Sequence, residues 1–254
     1  MTAKRTPPAA AVGAIRRAMV LCAGLGERMR PLTETMPKPL VPVAGRALID
    51  HILDRLVEAG VEEAVVNTHY LAARMQAHLA LWRRPRIVIS HEPERLETGG
   101  GVRNALPHLG ADPFFVINGD AFWLNGPRPA LVRLAEAWDP ARMDGLMLVH
   151  HTARALGYDD RGDYTMEQDG RLVPREEGRA SAFVFASVII VKPSLFADTP
   201  PGPFSMKLLY NRMAAAERLY GLNHDGEWFH IGTPDALAMA EEFMAGDLRR
   251  AHYV

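Results

Sequence analysis

The sequence predicts a single α/β domain, built on a doubly wound, mostly parallel sheet with flanking helices and a small antiparallel insertion in its second half. In the first half of the chain, short apolar runs typical of strands alternate with helical patterns, which favours parallel strands joined by right-handed crossovers. In the second half, hairpin signals replace that alternation. The 254 residues are 48% hydrophobic and 23% charged, a composition that provides one large core.

The elements of the first half follow from apolar spacing and from glycine and proline positions. Leucine, isoleucine and valine recur at helical spacing over residues 48–57, and Gly60 ends that helix. Prolines at four positions between residues 31 and 42 exclude a regular helix in the preceding loop. The remaining predictions are strands at 18–22, 64–67, 86–90 and 114–117, a helix at 71–81, and a short helix that the glycine run Gly99–Gly101 opens.

The second half combines strands, one hairpin and two helices. A polar hairpin over residues 162–173 has its turn at Asp169-Gly170. Pro234 suits the first turn of a final helix, and Thr233 suits its N-cap. The remaining predictions are strands at 146–149, 183–191 and 228–231 and helices at 206–217 and 234–245.

Composition and charge exclude several classes of protein. Lysine and arginine (29) nearly balance aspartate and glutamate (30), and the net charge of −1 excludes a generally basic nucleic-acid binder. No apolar run approaches the roughly 18–20 residues that cross a bilayer, so no membrane partner is expected. The single cysteine, Cys22, excludes a disulfide scaffold or a cysteine-based zinc site and fits a reducing cytoplasm. We expect residues 1–16 to form a disordered tail and residues 17–254 the folded domain.

The turn after the first strand has the properties of a phosphate-binding loop. Gly24 and Gly26 allow the backbone to approach a ligand closely, Arg28 adds a positive charge, and Lys38 follows between two prolines. A dinucleotide-binding motif would require a third glycine where Met29 stands, and neither the P-loop nor the kinase motifs are present. A tight turn between a strand and a helix is the structural alternative.

Two later segments also carry candidate ligand-binding groups. Asp120 follows an apolar strand in the sequence Asn118-Gly119-Asp120, where it either forms a turn or binds a metal ion. The loop from Glu97 to Gly101 offers backbone N–H groups and the Thr98 hydroxyl. That loop either recognises the edge of a base or is a flexible turn with a helix cap.

Together these motifs resemble those of the sugar-1-phosphate nucleotidyltransferases. The family's opening signature resembles residues 21–33 followed by Pro37-Lys38-Pro39, and its later motifs resemble residues 96–101, 118–120 and 228–234. The similarity extends from about residue 18 to residue 240. It implies a Rossmann-like nucleotidyltransferase fold and a soluble enzyme that transfers a nucleotidyl group from a nucleoside triphosphate to a sugar 1-phosphate. The acceptor phosphate is already ionised at neutral pH, so that reaction needs no general base.

The resemblance also implies roles for individual residues. Arg28 would contact the β- and γ-phosphates, Lys38 the α-phosphate, and Asp120 would hold Mg²⁺. These three residues are the expected catalytic group. The expected nucleotide-binding residues are Leu21, Ala23, Gly24, Gly26, Glu97, Thr98, Gly99, Asn118 and Gly119.

His230 departs from the family pattern, which has a second metal-binding aspartate at this position. Imidazole suits transition metals better than Mg²⁺, so Mn²⁺ or Co²⁺ are alternative cofactors. Three interpretations stay open: His230 is a metal ligand, a hydrogen-bond donor to phosphate, or a packed histidine between Phe229 and Ile231.

The sugar side has fewer signals. Gly162 and Asp163 resemble a sugar-pocket hairpin, although an ordinary hairpin would look the same, and Lys207 is a candidate for the sugar phosphate. Asn67 either lines the site or caps its strand. Within the family, the compact length and the Glu97–Gly101 loop are most similar to uridylyltransferases that act on N-acetylmuramate 1-phosphate in cell-wall recycling.

We therefore expect UTP and N-acetylmuramate 1-phosphate as substrates of a monomer or simple homodimer. The alternatives are glucose, mannose or heptose phosphate with UTP, dTTP or GTP, or an inactive regulatory module that binds a nucleotide sugar.

Overall fold

The structure is a computed structural model that describes residues 15–251, with side chains described as far as residue 246. Its helices are α1 (Leu48–Glu58), α2 (Ala72–Leu79), α3 (Glu97–Leu109), α4 (Ala130–Ala137), α5 (Lys207–Ala215) and α6 (Pro234–Ala251). Its strands are β1 (Arg17–Leu21), β2 (Pro42–Val43), β3 (Arg46–Ala47), β4 (Glu63–Thr68), β5 (Arg86–His91), β6 (Phe114–Asn118), β7 (Ala121–Leu124), β8 (Gly145–His151), β9 (Tyr164–Met166), β10 (Leu172–Pro174), β11 (Phe183–Val191), β12 (Leu219–Asn223) and β13 (Glu227–His230).

The main sheet has the strand order β10-β9-β11-β6-β1-β4-β5, and β8 and β12 extend it from β11. Strands β6, β1, β4 and β5 are parallel, which confirms the predicted fold class. Strand β11 is antiparallel to β6, β8 and β9, so the antiparallel part belongs to the same sheet. The parallel half is the part that carries the candidate site.

Helices cover both faces of this sheet. In β1, Ala18 and Val20 pack towards α1, α2 and α4, whereas Met19 packs towards α3 and α5. This follows from the two-residue period of a strand, whose alternate side chains point to opposite faces. Because both faces are covered, the parallel strands are continuous apolar runs in the sequence.

A separate two-stranded sheet brings distant parts of the chain to the carboxyl edge of the main sheet. Strand β13 pairs antiparallel with β7, and His230 lies opposite Ala121, the residue that follows Asp120. Phe122 and Phe229 pack against each other in this ribbon, with ring centroids 5.1 Å apart. The ribbon therefore brings the two predicted metal-binding positions together, His230 at the end of β13 and Asp120 immediately before β7.

Five of these helices and strands were absent from the sequence prediction, and one predicted helix had the wrong length. Strands β2, β3, β7 and β12 and helix α4 were not expected. The helix expected to begin in the glycine run begins at Glu97 instead and has 13 residues. Strands β2 and β3 have two residues each, and β7 and β12 are short and pair with segments distant in sequence, β7 with β13 and β12 with β8. Pairing of that kind leaves little local signal.

The predicted tail lies, for residues 1–14, outside the described residues. The prediction also placed Ile15 and Arg16 in the tail, but the Ile15 side chain is only 5% exposed and packs in the core. The backbone carbonyl of Arg16 accepts hydrogen bonds from Glu62 and Glu63. The folded domain therefore includes both residues. Across the described chain, we find no helix with the combined length and apolarity needed to cross a bilayer.

The carboxylate of Asp144 forms ion pairs that link the ends of three neighbouring strands. It precedes β8, and its carboxylate contacts Lys192, which follows β11, at 2.7 Å and Arg218, which precedes β12, at 2.9 Å. Burial alone would raise the pKa of Asp144, but hydrogen bonds and charge from the two cations outweigh it and the pKa lies below its ordinary value. The carboxylate therefore stabilises the fold above the pKa it has in the unfolded chain.

We predict that Asp144→Asn lowers the free energy of unfolding by about 1–3 kcal/mol at neutral pH, since it removes charge-assisted hydrogen bonds. The difference from the parent should shrink as the pH falls below about 4, where the carboxylate becomes protonated in the unfolded and then in the folded protein. Urea unfolding across this pH range measures it.

The control is Asp169→Asn, which removes an exposed carboxylate that also contacts an arginine. It should have a smaller effect. Equal losses in both variants would contradict the proposed role of Asp144.

Candidate active site

A cleft of about 440 Å³ opens at the carboxyl ends of β1, β4 and β6. This is the edge at which ligands bind in open α/β sheets. Eleven of the predicted site residues line it: Leu21, Ala23, Gly24, Gly26, Lys38, Asn67, Glu97, Thr98, Asn118, Gly119 and Asp120. Cys22, Pro39, Arg95 and Ser205, which were not predicted, also line it.

An ion pair between Lys38 and Asp120 lies in the cleft. The Lys38 ammonium donates to Oδ2 of Asp120 at 2.5 Å. The Lys38 side chain is only 12% exposed, whereas that of Asp120 is 33% exposed. Pro37 and Pro39 flank the lysine in a short 3₁₀ turn and restrict its backbone. The cleft therefore presents a fixed cation next to an accessible carboxylate.

Gly26 shapes the predicted phosphate loop. Its φ of +66° lies in the left-handed region, where glycine is favoured, and a β-carbon there would lie 3.0 Å from the Thr33 side chain and 3.2 Å from that of Lys38. Thr33 donates a hydrogen bond from its hydroxyl to the Gly26 carbonyl at 2.7 Å. Gly26 thus allows the loop to pack directly on the segment that carries Lys38.

Gly119 packs the end of β6 against the end of β1. Its N–H donates to the Leu21 carbonyl at 2.9 Å, and a β-carbon at Gly119 would lie 2.6 Å from both that oxygen and the Cys22 sulfur. The position therefore has no space for a side chain. This close approach places the following residue, Asp120, in the cleft beside Lys38.

The loop predicted over Glu97–Gly101 is instead the first turn of α3, and the glycines of this turn serve packing. Gly99 and Gly100 donate their N–H groups to the Phe204 carbonyl at 2.8 and 3.1 Å, and a β-carbon at Gly99 would overlap the Phe204 ring. Gly99 is buried and does not line the cleft, so the predicted contact between it and a nucleotide is not supported by its position. The Thr98 hydroxyl lines the cleft and accepts a hydrogen bond from the Met206 N–H at 2.9 Å.

Arg28 and His230 lie beside each other, outside the lining of the cleft. A β-carbon at Gly232 would lie 2.7 Å from Nε2 of His230 and 3.5 Å from Nη1 of Arg28. The rings of Tyr158 and Trp228 flank the imidazole, with centroids 5.8 and 6.0 Å from it.

Charged groups near His230 affect the pKa of its imidazole. Burial lowers the pKa of its imidazole, the positive charges of Lys38 and Arg28 act in the same direction, and the Asp120 carboxylate opposes them. The imidazole is therefore neutral at pH 7, the form that binds metals. In the described part of the chain, no three histidine, cysteine or acidic side chains are grouped to hold a metal by themselves.

None of the predicted sugar residues other than Asn67 lines the cleft. Gly162 is buried with a φ of +76°, and a β-carbon there would lie 2.5 Å from both the Ser181 carbonyl and the Thr152 hydroxyl. Burial raises the pKa of Asp163, whose Oδ2 accepts a hydrogen bond from the Phe185 N–H at 2.9 Å. Lys207 is exposed at the first residue of α5.

The comparisons with known proteins agree on the family of this chain. The family model described as "Nucleotidyl transferase" matches residues 17–170. N-acetylmuramate alpha-1-phosphate uridylyltransferase from Caulobacter vibrioides is 48% identical over 233 residues, which are 90% of this chain and 96% of the relative. The protein of the same name from Neisseria meningitidis is 34% identical and covers 89% of this chain and 96% of the relative.

Solved structures are similar in fold. A crystal structure of UDP-glucose pyrophosphorylase complexed with UDP-glucose aligns with a TM-score of 0.75 over 92% of this chain and 99% of that protein. The sequence identity of 17% makes this a similarity of fold alone. It agrees with the mostly parallel sheet described above.

We predict that Gly119→Ala lowers the free energy of unfolding by about 1–3 kcal/mol, because a methyl group would force β6 away from the backbone of β1. Gly24→Ala is the matched control, since a β-carbon there would meet no atom within 4 Å. Thermal and urea unfolding of both variants measure the effect. Equal stability of the two variants would show that the turn at Gly119 has more space than the structure indicates.

Proposed function

The chain belongs to the nucleotidyl transferase family, and from this premise we propose that it transfers a uridylyl group from UTP to N-acetylmuramate 1-phosphate, giving UDP-N-acetylmuramate and pyrophosphate. The observation that carries the choice of substrates is the 48% identity with the Caulobacter vibrioides uridylyltransferase over nearly the whole of both chains. The geometry of the cleft supports the reaction class, because a mostly buried lysine and a partly exposed aspartate form an ion pair in a cleft that Gly24 and Gly26 also line.

The proposed reaction is an in-line displacement at the α-phosphorus. An oxygen of the sugar phosphate forms the new P–O bond while the bond to the β-phosphate oxygen breaks, and pyrophosphate carries away the bonding electrons. Catalysis then consists of positioning and of neutralising charge on the transferred group. In this proposal Lys38 contacts the α-phosphate, Arg28 contacts the β- and γ-phosphates, and the Gly24–Gly26 backbone cradles the chain of phosphates.

The cysteine in the cleft is unsuited to covalent catalysis. Burial raises the pKa of the Cys22 thiol well above its ordinary value, and the nearby Asp120 charge acts in the same direction. The thiol therefore stays protonated at neutral pH and is a weak nucleophile. This supports direct attack by the sugar phosphate.

A divalent metal fits the residues present, with Asp120 as its protein ligand. Only Oδ2 of Asp120 contacts Lys38, and the side chain stays one-third exposed, so the carboxylate is accessible to a cation. When bound, Mg²⁺ would neutralise charge on the triphosphate while phosphate oxygens and water complete its coordination. The neutral His230 imidazole on the adjacent strand is the candidate second ligand, which would favour Mn²⁺ or Co²⁺.

We propose separate groups of residues for the two substrates. Glu97 and Thr98 at the start of α3 are the candidates for base recognition, and Asn118 and Gly119 complete the nucleotide side. Gly162, Asp163 and Lys207 stay candidates for the sugar side, as does Asn67. The use of a nucleoside triphosphate is also consistent with the cytoplasmic location and the role in peptidoglycan recycling that we expect from the sequence.

We predict pyrophosphate release with UTP and N-acetylmuramate 1-phosphate at a kcat/KM at least about tenfold above every other pair in a matrix of four nucleotides and four sugar phosphates. The other sugars are glucose, mannose and heptose phosphates, and the other nucleotides are dTTP, GTP and ATP. Parallel reactions with Mg²⁺, Mn²⁺ and Co²⁺ identify the cofactor.

Lys38→Met is the control for the catalytic centre. We expect its turnover to fall by about 100-fold or more, since the α-phosphate loses its cation, while its melting temperature stays close to that of the parent. A preference for another pair would overturn the substrate proposal, and nucleotide binding without any turnover would favour the regulatory module.

A further inference from the structure

Glu92 is a fully buried carboxylate that sequence analysis did not identify. It follows β5, and its exposed fraction is 0%. Its Oε1 accepts a hydrogen bond from Nδ2 of Asn67 at 2.7 Å, and its Oε2 accepts one from the Leu96 N–H at 3.1 Å. Among the described residues, no ion pair involves Glu92. The burial cost of this charge is therefore offset by hydrogen bonds.

These hydrogen bonds connect the phosphate loop with the start of α3. Oδ1 of Asn67 accepts the Cys22 N–H at 2.6 Å, and Cys22 is the residue at which β1 passes into the phosphate loop. Leu96 is the residue before α3, where the predicted base loop begins. The chain of contacts therefore runs from Cys22 through Asn67 and Glu92 to Leu96.

The direction of each hydrogen bond in this chain is fixed. The Cys22 N–H can only donate, so the Asn67 atom that faces it is the carbonyl oxygen and the NH₂ group faces Glu92. A β-carbon at Gly101 would lie 2.7 Å from Oε1 of Glu92 and 2.8 Å from Nδ2 of Asn67. The glycine in α3 thus allows the helix to pack directly on this pair of buried side chains.

We propose that Glu92 is a positioning residue, which holds the phosphate loop and the start of α3 at the separation that a nucleoside triphosphate requires. This inference rests on the proposed function, because it assumes that a nucleotide spans the cleft between Gly24 and Thr98. Glu92 acts through Asn67 and Leu96 and does not line the cleft itself. Asn67 in turn acts by holding the Cys22 backbone.

Because the hydrogen-bond directions are fixed, the proposal can be tested by swapping the carboxylate and the amide between positions 92 and 67. In Glu92→Gln, the new NH₂ group faces either the NH₂ of Asn67 or the N–H of Leu96, so one hydrogen bond is lost. In Asn67→Asp, two carboxylates face each other.

The double variant, which combines Asn67→Asp with Glu92→Gln, restores all three hydrogen bonds. The new carboxylate at position 67 accepts from the Cys22 N–H and from the new amide NH₂ at position 92. The carbonyl oxygen of that amide accepts from the Leu96 N–H. Only the hydrogen bond between positions 67 and 92 reverses its direction, and the net charge equals that of the parent.

The experiment measures UTP binding by calorimetry, the KM for UTP and for the sugar phosphate, and backbone hydrogen exchange of residues 20–26 and 94–100 without ligand. We expect each single variant to bind UTP about tenfold more weakly, because one buried hydrogen bond is lost. For the same reason, its backbone amides should exchange faster in both segments. The double variant should return to within about threefold of the parent. Glu94→Gln, at an exposed glutamate in the same loop, is the control and should match the parent.

Two results would overturn the proposal. One is a double variant no better than the worse single variant. The other is single variants that melt at lower temperature but keep the parent's exchange rates and UTP affinity, which would make Glu92 a stabilising residue only. If a single variant does not fold, recovery of folding together with parental UTP affinity in the double variant supports the proposal, whereas folding without UTP affinity contradicts it.

Failure of the proposed function is distinguishable from failure of this inference. If the parent protein binds GTP or dTTP in place of UTP, the proposed nucleotide is wrong. The comparison of single and double variants still applies, with the nucleotide that binds as the probe. The hydrogen-exchange comparison needs no nucleotide at all.

Discussion

The ion pair between Lys38 and Asp120 joins residues 82 positions apart in the chain, and the candidate site is organised around it. Each partner depends on a separate feature of the fold. Lys38 is held by its flanking prolines and by the packing of Gly26 against its side chain. Asp120 is placed by the parallel pairing of β1 with β6 and by the contact of Gly119 with the β1 backbone. The two charges meet because the carboxyl ends of parallel strands share one edge of the sheet.

This pairing explains how a nucleotide site can be stable before its substrate binds. A mostly buried ammonium without a partner would be costly, and the Asp120 carboxylate neutralises it. In the proposed reaction both charges exchange partners: the lysine turns to a phosphate oxygen and the carboxylate to a metal ion. The same reasoning applies to Glu92, which is buried with hydrogen bonds to both carboxylate oxygens and links the phosphate loop with the start of α3. In our proposal the ion pair rearranges when the substrate binds, whereas the hydrogen-bond network stays fixed.

Sequence analysis predicted several short segments that line the cleft, although Arg28 lies outside its lining. Gly24, Gly26, Lys38 and Asp120 each follow from local glycines, prolines or the end of an apolar strand, and all line the cleft. Gly99 does not, because its role is decided by Phe204, which no local pattern connects to it. Glu92 was missed for the same reason: its neighbours come from the ends of β1 and β4 and the start of α3, and an isolated glutamate after a strand resembles a surface residue. Strands β7 and β12 likewise depend on partners far along the chain.

A crystal structure of the protein with a non-hydrolysable UTP analogue and Mg²⁺ tests the central claim most directly. Our account predicts that the Lys38 ammonium leaves Asp120 and lies within hydrogen-bond distance of an α-phosphate oxygen, with the Asp120 carboxylate on the metal ion. A triphosphate bound away from the carboxyl ends of β1 and β6, with the two side chains still paired, would contradict it.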